Sequence, residues 1–232
     1  RRIPDVFDTW FDSGSMPFAS VHYPFAINDK QFLKSEGGNL FPADFIAEGL
    51  DQTRGWFYTS LVLGVALFDK SPYDNVVVNG LVLAEDGKKM SKSLQNYPDL
   101  MEVIEKHGAD ALRMYLMSSP SVKAEPVRFS EEGVGELSRK VMGRFRNMLS
   151  FLQMYEGTVA DIKPAAETAV LDEWVQARLD QSFVTVTAAL DGLQLDKATR
   201  ELIDLIDDLS TWYVRRSRDQ IKDSLVAQQT LA

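Results

Sequence analysis

The stretch 75–83, Asn-Val-Val-Val-Asn-Gly-Leu-Val-Leu, constrains the fold more than any other part of the chain. It is β-branched and apolar on both faces, the pattern of a parallel strand buried between helices rather than of a strand with one face in water. Upstream, Trp56 or Phe57, Leu61, Val65 and Phe68 recur at spacings of three and four, which predicts a helix over 53–68. Before that helix, residues 41–48 read as another strand, starting after the turn Gly37-Gly38-Asn39. Strand, helix, strand is a crossover unit, so this part of the chain is expected to be α/β. Val6 to Phe11 reads as a further short strand, followed by a loop rich in proline, phenylalanine and tyrosine.

The pattern then changes. Asn96-Tyr97-Pro98-Asp99 introduces a helix from Leu100 to Lys106 that stops at Gly108, and Ala109 to Met117 forms the next. Beyond Pro126 only helical periodicity remains. Ser130-Glu131-Glu132 caps a segment with Leu137, Val141, Phe145, Met148 and Leu152 on one stripe, ending near Gly157, and 161–166 reads as a linker. Leu171, Val175, Leu179, Phe183, Val186 and Leu190 form one apolar stripe ended by Gly192. Leu202, Ile206, Leu209 and Tyr213 form another after a cap at Asp196. Two such stripes facing each other predict an antiparallel helical hairpin, with a frayed end over 222–232. The expected class is α/β followed by all-α.

Composition narrows the chemistry. With 45% hydrophobic and 25% charged residues, the 232-residue chain has the balance of a globular protein. A net charge of −9 disfavours a protein coated in nucleic acid, although local basic patches remain open to it. No cysteine and only two histidines leave no thiolate zinc site and no metal-ligand cluster. The longest apolar run, Leu61 to Phe68, is too short to span a bilayer, and the N-terminus has no apolar signal core, so no membrane partner and a cytoplasmic location are the default.

The run Lys89-Met90-Ser91-Lys92-Ser93 follows the turn Glu85-Asp86-Gly87. Two lysines on a loop with small hydroxyl residues can bring ammonium groups to a polyphosphate whose charge grows during reaction. A solvated turn would have the same composition, so the run gains weight from two segments upstream: Asp8-Thr9-Trp10-Phe11-Asp12-Ser13-Gly14, and 47–57, Ala-Glu-Gly-Leu-Asp-Gln-Thr-Arg-Gly-Trp-Phe. In this order the three resemble the second half of the catalytic domain of the class I aminoacyl-tRNA synthetases. The isoleucyl branch is most similar, on the run Asp51 to Phe57, where valyl relatives carry a more apolar sequence after the aspartate. The resemblance continues through Arg128-Phe129-Ser130 to Trp212-Tyr213-Val214-Arg215-Arg216-Ser217-Arg218 and covers nearly the whole chain.

The resemblance implies the second half of a Rossmann-type nucleotide-binding domain (1–120), a connecting segment like a stem-contact region (121–165) and part of a helical-bundle anticodon-binding domain (166–232). It implies isoleucine activation with ATP and transfer to tRNA(Ile). Lys92 would contact ATP, supported by Lys89 and Ser91. Glu48 and Gly49 would meet the aminoacyl-adenylate, with Asp51 and Gln52 beside them; a helix cap is the other reading of that pair, and both can hold together. Trp10 would wall the pocket for the branched side chain, although a core tryptophan would look identical in sequence. Trp212, Tyr213, Arg215, Arg216 and Arg218 would meet tRNA by stacking and charge, with Arg139, Lys140, Arg144 and Arg146 as a second basic stretch; a solvated helix face over a core of Trp212 and Tyr213 is the plainer reading. Arg54 is expected to be structural, paired with a carboxylate. Magnesium would come with ATP, with no protein-bound metal. The family's His-x-Gly-His signature is absent, so the sequence reads as a fragment whose partner is the missing N-terminal half of the catalytic domain and which is a poor catalyst alone. A valyl or leucyl relative, or a non-catalytic RNA-binding protein derived from a synthetase, would share much of this pattern.

Overall fold

A computed structural model of the chain describes residues 3–6, 8–91, 93–154, 170–223 and 225–231. The expected helix end near Gly157 and the linker at 161–166 lie outside them. The chain divides into two compact units, Arg1–Leu81 with Lys123–Pro126, and Val82–Val122 with Val127–Ala232.

The first unit opens with helix where a strand was predicted. The Asp8 carboxylate accepts the Trp10 amide at 2.7 Å and starts α1 (Thr9–Gly14), which α2 (Met16–Ala19) and α3 (Asp29–Phe32) follow. A strand was expected over 6–11, but the Asp8 cap satisfies an orphan amide at the helix start and a helix wins. Phe18, Phe32 and Phe41 form a buried cluster, with Tyr23 stacked on Phe32 and Phe68 tilted against Phe41. The strand predicted over 41–48 begins only at Ile46. Pro42 lacks an N–H, and Phe41 and Ala43 make isolated bridges to Leu33 and Tyr73 instead.

The crossover unit is present. Strand β1 (Ile46–Gly49) leads through a 3-10 turn, Leu50–Arg54, into α4 (Trp56–Phe68) and on to β2 (Val76–Asn79). β1 and β2 pair in parallel, Ile46 opposite Val76 and Gly49 opposite Asn79. The helix starts at Trp56 rather than Thr53, because the backbone at Gly55 (φ −139°, ψ −120°) leaves helical geometry. The run 75–83 is not one strand. It breaks at Gly80, whose backbone lies so close to Glu125 that a Cβ there would sit 1.9 Å from the Glu125 carbonyl oxygen. Nor is it buried on both faces: Val77 is covered, whereas Val76 is exposed.

The second unit begins with β3 (Val82–Leu83), paired in parallel with β4 (Val127–Arg128). Between them, α5 (Leu100–His107) stops at Gly108, which has φ +90°, and α6 (Ala109–Ser118) follows. A core of Val103, Ala111, Leu112, Phe129 and Val134 joins these helices to α7 (Glu131–Leu137), capped by Ser130 as expected. A π segment, Ser138–Gly143, separates α7 from α8 (Arg144–Gln153). The extra residue per turn shifts the face, so Val141 and Met148 of the predicted stripe are buried while Phe145 is exposed.

The helical hairpin consists of α9 (Val170–Asp191) and α10 (Leu195–Asp207), which pack on each other across the short connection Gly192-Leu193-Gln194. Its seam differs from the predicted stripe. Val175 is buried, but Leu179, Phe183 and Leu190 are exposed, Phe183 at 74%; Ser182 and Ala189 are buried in their place. A polar knot explains the choice. Arg178 pairs with Glu201, donates from Nε to Asp208 at 2.8 Å, and shares Glu201 with the Ser182 hydroxyl at 2.7 Å. Asp196 lies inside the first turn of α10, with Gln194 at the cap. After a second π segment, Asp208–Val214, come α11 (Arg215–Asp223) and α12 (Leu225–Leu231). The described residues of the stretch expected to fray, 222–223 and 225–231, are helical, with Ile221 and Ala227 packed beside Val175 and Tyr213.

Candidate functional site

The predicted site residues fall in both units. In the first unit they gather at the C-terminal end of β1, where ligands of parallel sheets bind. Glu48 is exposed there. Gly49 leaves space for Asp51: a Cβ on Gly49 would sit 2.6 Å from Asp51 Oδ1. Gln52 Oε1 accepts the Trp56 amide at 2.8 Å and so caps α4, while its Nε2 donates to Asp51 Oδ2 at 3.3 Å. The capping reading of Gln52 thus holds, and its bond to Asp51 orients the carboxylate.

Trp10 is 49% exposed, so it is not a core tryptophan. Its Cη2 lies 3.3 Å from where a Gly55 Cβ would be, and Gln52 Oε1 is 2.5 Å from the same point, so the indole edge and the capping amide converge on a glycine that admits both. Trp56 Nε1 donates to the Ser13 carbonyl at 2.9 Å, tying the first motif to the second. Arg54 is exposed, and no ion pair holds it among the described residues.

In the second unit the lysine run extends a tight hairpin. Asp86 Oδ1 accepts the Lys88 amide at 2.9 Å and Oδ2 meets the Lys88 ammonium at 3.2 Å; these two contacts, the amide first, hold the Asp86 carboxyl below its ordinary value. Gly87, at φ +80°, completes the turn, and Lys89 bridges back to Leu83. Lys89 is exposed, whereas Met90 turns inward against the Val103–Phe129 core. Ser91 Oγ lies 3.0 Å from Ser93 Oγ and accepts the Leu94 amide at 3.1 Å. Lys92, the predicted ATP contact, lies outside the described residues.

Asn96 was read only as the start of a helix-leading segment. Its Oδ1 accepts the Ser91 amide at 2.9 Å and its Nδ2 donates to the Lys89 carbonyl at 3.2 Å. The available signal was an asparagine a few residues past a mobile-looking loop, a residue type that bonds nearby backbone.

The predicted RNA-facing residues divide. Arg216 stacks over Trp212 at 3.9 Å from the ring centre, with Trp212 half exposed. Arg218 lies 5.7 Å over Phe151, and Arg215 is exposed. Tyr213 is fully buried and donates to Asp172 Oδ1 at 2.8 Å. A groove of about 460 Å³ opens between α8 and α11, lined by Asn147, Phe151, Arg215 and Arg218. In the second basic stretch, Arg144 pairs with Asp207 and Lys140 with Glu136, which leaves less free charge than the sequence suggested. Among the described residues no three potential metal ligands cluster, and no helix is long and apolar enough to cross a membrane.

Residues 1–128 match the family described as tRNA synthetases class I (I, L, M and V), and residues 172–232 match the anticodon-binding domain of tRNA ligase. The chain is 49% identical over 97% of its length to the probable isoleucine–tRNA ligase, cytoplasmic, of Dictyostelium discoideum, and covers 21% of that protein. It is 49% identical over 94% of its length to isoleucine–tRNA ligase of Bdellovibrio bacteriovorus, covering 20% of it. It thus spans about a fifth of the length of these relatives. Among solved structures, the Agrobacterium radiobacter K84 LeuRS in complex with tRNA and LeuAMS superposes with a TM-score of 0.73 at 22% identity, over 99% of this chain and 30% of that one. Mycobacterium tuberculosis methionyl-tRNA synthetase in complex with methionyl-adenylate gives 0.70 at 19%, over 96% of this chain and 44% of that one.

Proposed function

The chain belongs to the class I tRNA synthetases, and from that premise we propose that it serves an isoleucine–tRNA ligase, which joins isoleucine to ATP as isoleucyl-AMP and passes it to tRNA(Ile). The observation that carries the isoleucine reading is the 49% identity to isoleucine–tRNA ligases over nearly the whole chain. Residues 1–120 then belong to a Rossmann-type nucleotide-binding domain, a reading supported by the parallel crossover β1–α4–β2. Residues 121–165 connect it to an anticodon-binding bundle at 166–232. The protein works in the cytoplasm.

In this reading the isoleucine carboxylate attacks the α-phosphate of ATP and pyrophosphate leaves with its negative charge. Lys89 and Lys92 meet that charge as it grows, and Ser91 shapes the loop that carries them. Magnesium arrives on ATP as part of the substrate. Glu48 accepts hydrogen bonds from the ribose hydroxyls or the amino group of the adenylate, Gly49 leaves room for it, and Asp51 with Gln52 frames it. Trp10 offers a half-exposed apolar wall to the branched side chain. One methylene in such a pocket is worth only about 1–3 kcal/mol, so discrimination from valine is modest at this step. Trp212, Arg215, Arg216 and Arg218 contact tRNA.

Thermal unfolding of the chain with non-hydrolysable isoleucyl-, valyl- and leucyl-adenylate analogues tests the reading. The isoleucyl analogue is expected to stabilise most, by about 2.7 kcal/mol at a hundredfold excess over Kd. Greater stabilisation by the valyl or leucyl analogue would reassign the specificity. No shift with any analogue would remove Glu48 and Trp10 as adenylate contacts of this chain and, separately, the lysine loop as a phosphate contact.

A further inference from the structure

Lys89 and Ser91 are tied to Gln95 and Asn96. Asn96 makes two of these bonds, accepting from the Ser91 amide at 2.9 Å and donating to the Lys89 carbonyl at 3.2 Å. The Gln95 amide donates to the Ser91 carbonyl at 3.0 Å, and Gln95 takes a left-handed backbone at φ +48°. Asn96 is held from the other side. It is followed by Tyr97, Pro98 and Asp99, and the Asp99 carboxylate caps α5 by accepting the Met101 amide at 2.7 Å. The loop's other anchor is Met90, packed on the Val103–Phe129 core. A cavity of about 260 Å³ lined by Ala84, Glu85, Met90, Asn96, Phe129 and Glu131 lies beside both anchors.

A carboxamide is suited to this place because it carries a donor and an acceptor on one short stem; aspartate keeps only the acceptor, and alanine neither. We propose that Asn96 is the positioning residue of the lysine loop, a latch that ties the backbone at Lys89 and Ser91 to the start of α5 and so fixes where Lys89 emerges. The role in catalysis rests on the ATP reading of the loop; the latch itself does not. A preset backbone leaves only the side chains to order when a polyphosphate binds, which lowers the entropic cost of closure.

Amide hydrogen exchange and trypsin cleavage after Lys89, measured on the chain with Asn96→Ala and Asn96→Asp, test this. With both bonds gone, exchange at Ser91 is expected to quicken about tenfold or more in Asn96→Ala, while amides of α5 and α6 keep their rates and the unfolding temperature holds. Asn96→Asp retains the acceptor for Ser91 and should stay within about threefold of the unchanged protein. In Asn96→Ala the ATP concentration that half-protects the loop from trypsin should rise about tenfold. Unchanged Ser91 exchange in Asn96→Ala would overturn the latch. Faster exchange with the same half-protecting ATP concentration would overturn its positioning role. If ATP protects the loop in no version of the chain, the ATP reading falls, and the exchange rates still decide the latch.

Discussion

Replacing Tyr213 by phenylalanine removes one hydroxyl and tests how the all-helical part is held together. Tyr213 and Asp172 are both fully buried, and the phenol donates to Asp172 Oδ1 at 2.8 Å, while Gln220 reaches Oδ2 at 3.3 Å. The ring itself packs with Val175, Ile221 and Ala227, and phenylalanine keeps those contacts. What is lost is a hydrogen bond to a buried carboxylate, worth about 2 kcal/mol and so about 6–8 °C in unfolding temperature for a unit of this size. Burial first, and then the bond to Asp172, push the Tyr213 phenol far up from its ordinary value near 10. The folded state therefore keeps a proton that the unfolded chain loses above about pH 10, and stability falls there by up to about 1.4 kcal/mol per pH unit. That stabilisation is intact at neutral pH and absent from Tyr213→Phe at any pH. Denaturant unfolding of both proteins from pH 7 to 11.5 should show a difference of about 2 kcal/mol that shrinks above pH 10 and closes after about 1.5 units. A difference below about 0.5 kcal/mol at pH 7, or one that stays constant through pH 11, would refute the reasoning.

Three other substitutions probe separate features. Gly80→Ala should destabilise the first unit by about 3 kcal/mol or more, because its Cβ would meet the Glu125 carbonyl at 1.9 Å; a loss under about 1 kcal/mol in thermal unfolding would contradict that approach. Glu201→Gln should cost about 1–2 kcal/mol at pH 7 by weakening its pairing with Arg178. The Arg178 guanidinium, then the Ser182 hydroxyl, hold the Glu201 carboxyl below its ordinary value, so the gap should be present above about pH 4.5 and narrow as pH falls through the lowered value. An acid-unfolding curve parallel to that of the unchanged protein would count against the pairing. Gln95→Gly should raise stability by about 0.5–1 kcal/mol by relieving a left-handed non-glycine residue, and a lower unfolding temperature would speak against strain at that turn.

The parts of the fold that sequence displayed are those decided by neighbours along the chain. The crossover over 46–79 follows from β-branched runs and a helical repeat, and the end of α5 at Gly108 follows from one glycine with positive φ. The misread parts were decided from elsewhere. Residues 9–14 carry tryptophan and phenylalanine, which favour extension, yet one carboxylate at Asp8 supplies the cap that tips them into helix. The break at Gly80 depends on Glu125, which no local window includes. The face of α9 turned inward because Arg178 and Ser182 find Glu201 and Asp208 on the neighbouring segments. A satisfied polar knot there outweighed the burial of Leu179 and Phe183, since an unpaired guanidinium in the seam would cost more than two exposed apolar side chains.

The same division runs through the candidate site. Residue types suited to the proposed chemistry stand out in sequence because few other roles need them together: Glu48 at a strand end, Lys89 on a glycine turn, Trp10 left half exposed beside Gly55. What sequence did not reveal is the set of bonds that hold those groups still. Gln52 both caps α4 and orients Asp51, so one amide serves the helix and the site together. Asn96 binds the lysine loop through backbone atoms, whose identity no side-chain motif records. On the helical side, Arg216 is already stacked on Trp212, while Arg144 and Lys140 are tied to carboxylates. A phosphate approaching this surface therefore meets a preformed aromatic–guanidinium platform at one end of α11, whereas at Arg144 or Lys140 it would have to displace an existing ion pair. On the proposed tRNA-binding reading, that difference favours Trp212, Arg215, Arg216 and Arg218 over Arg144 and Lys140 as contacts.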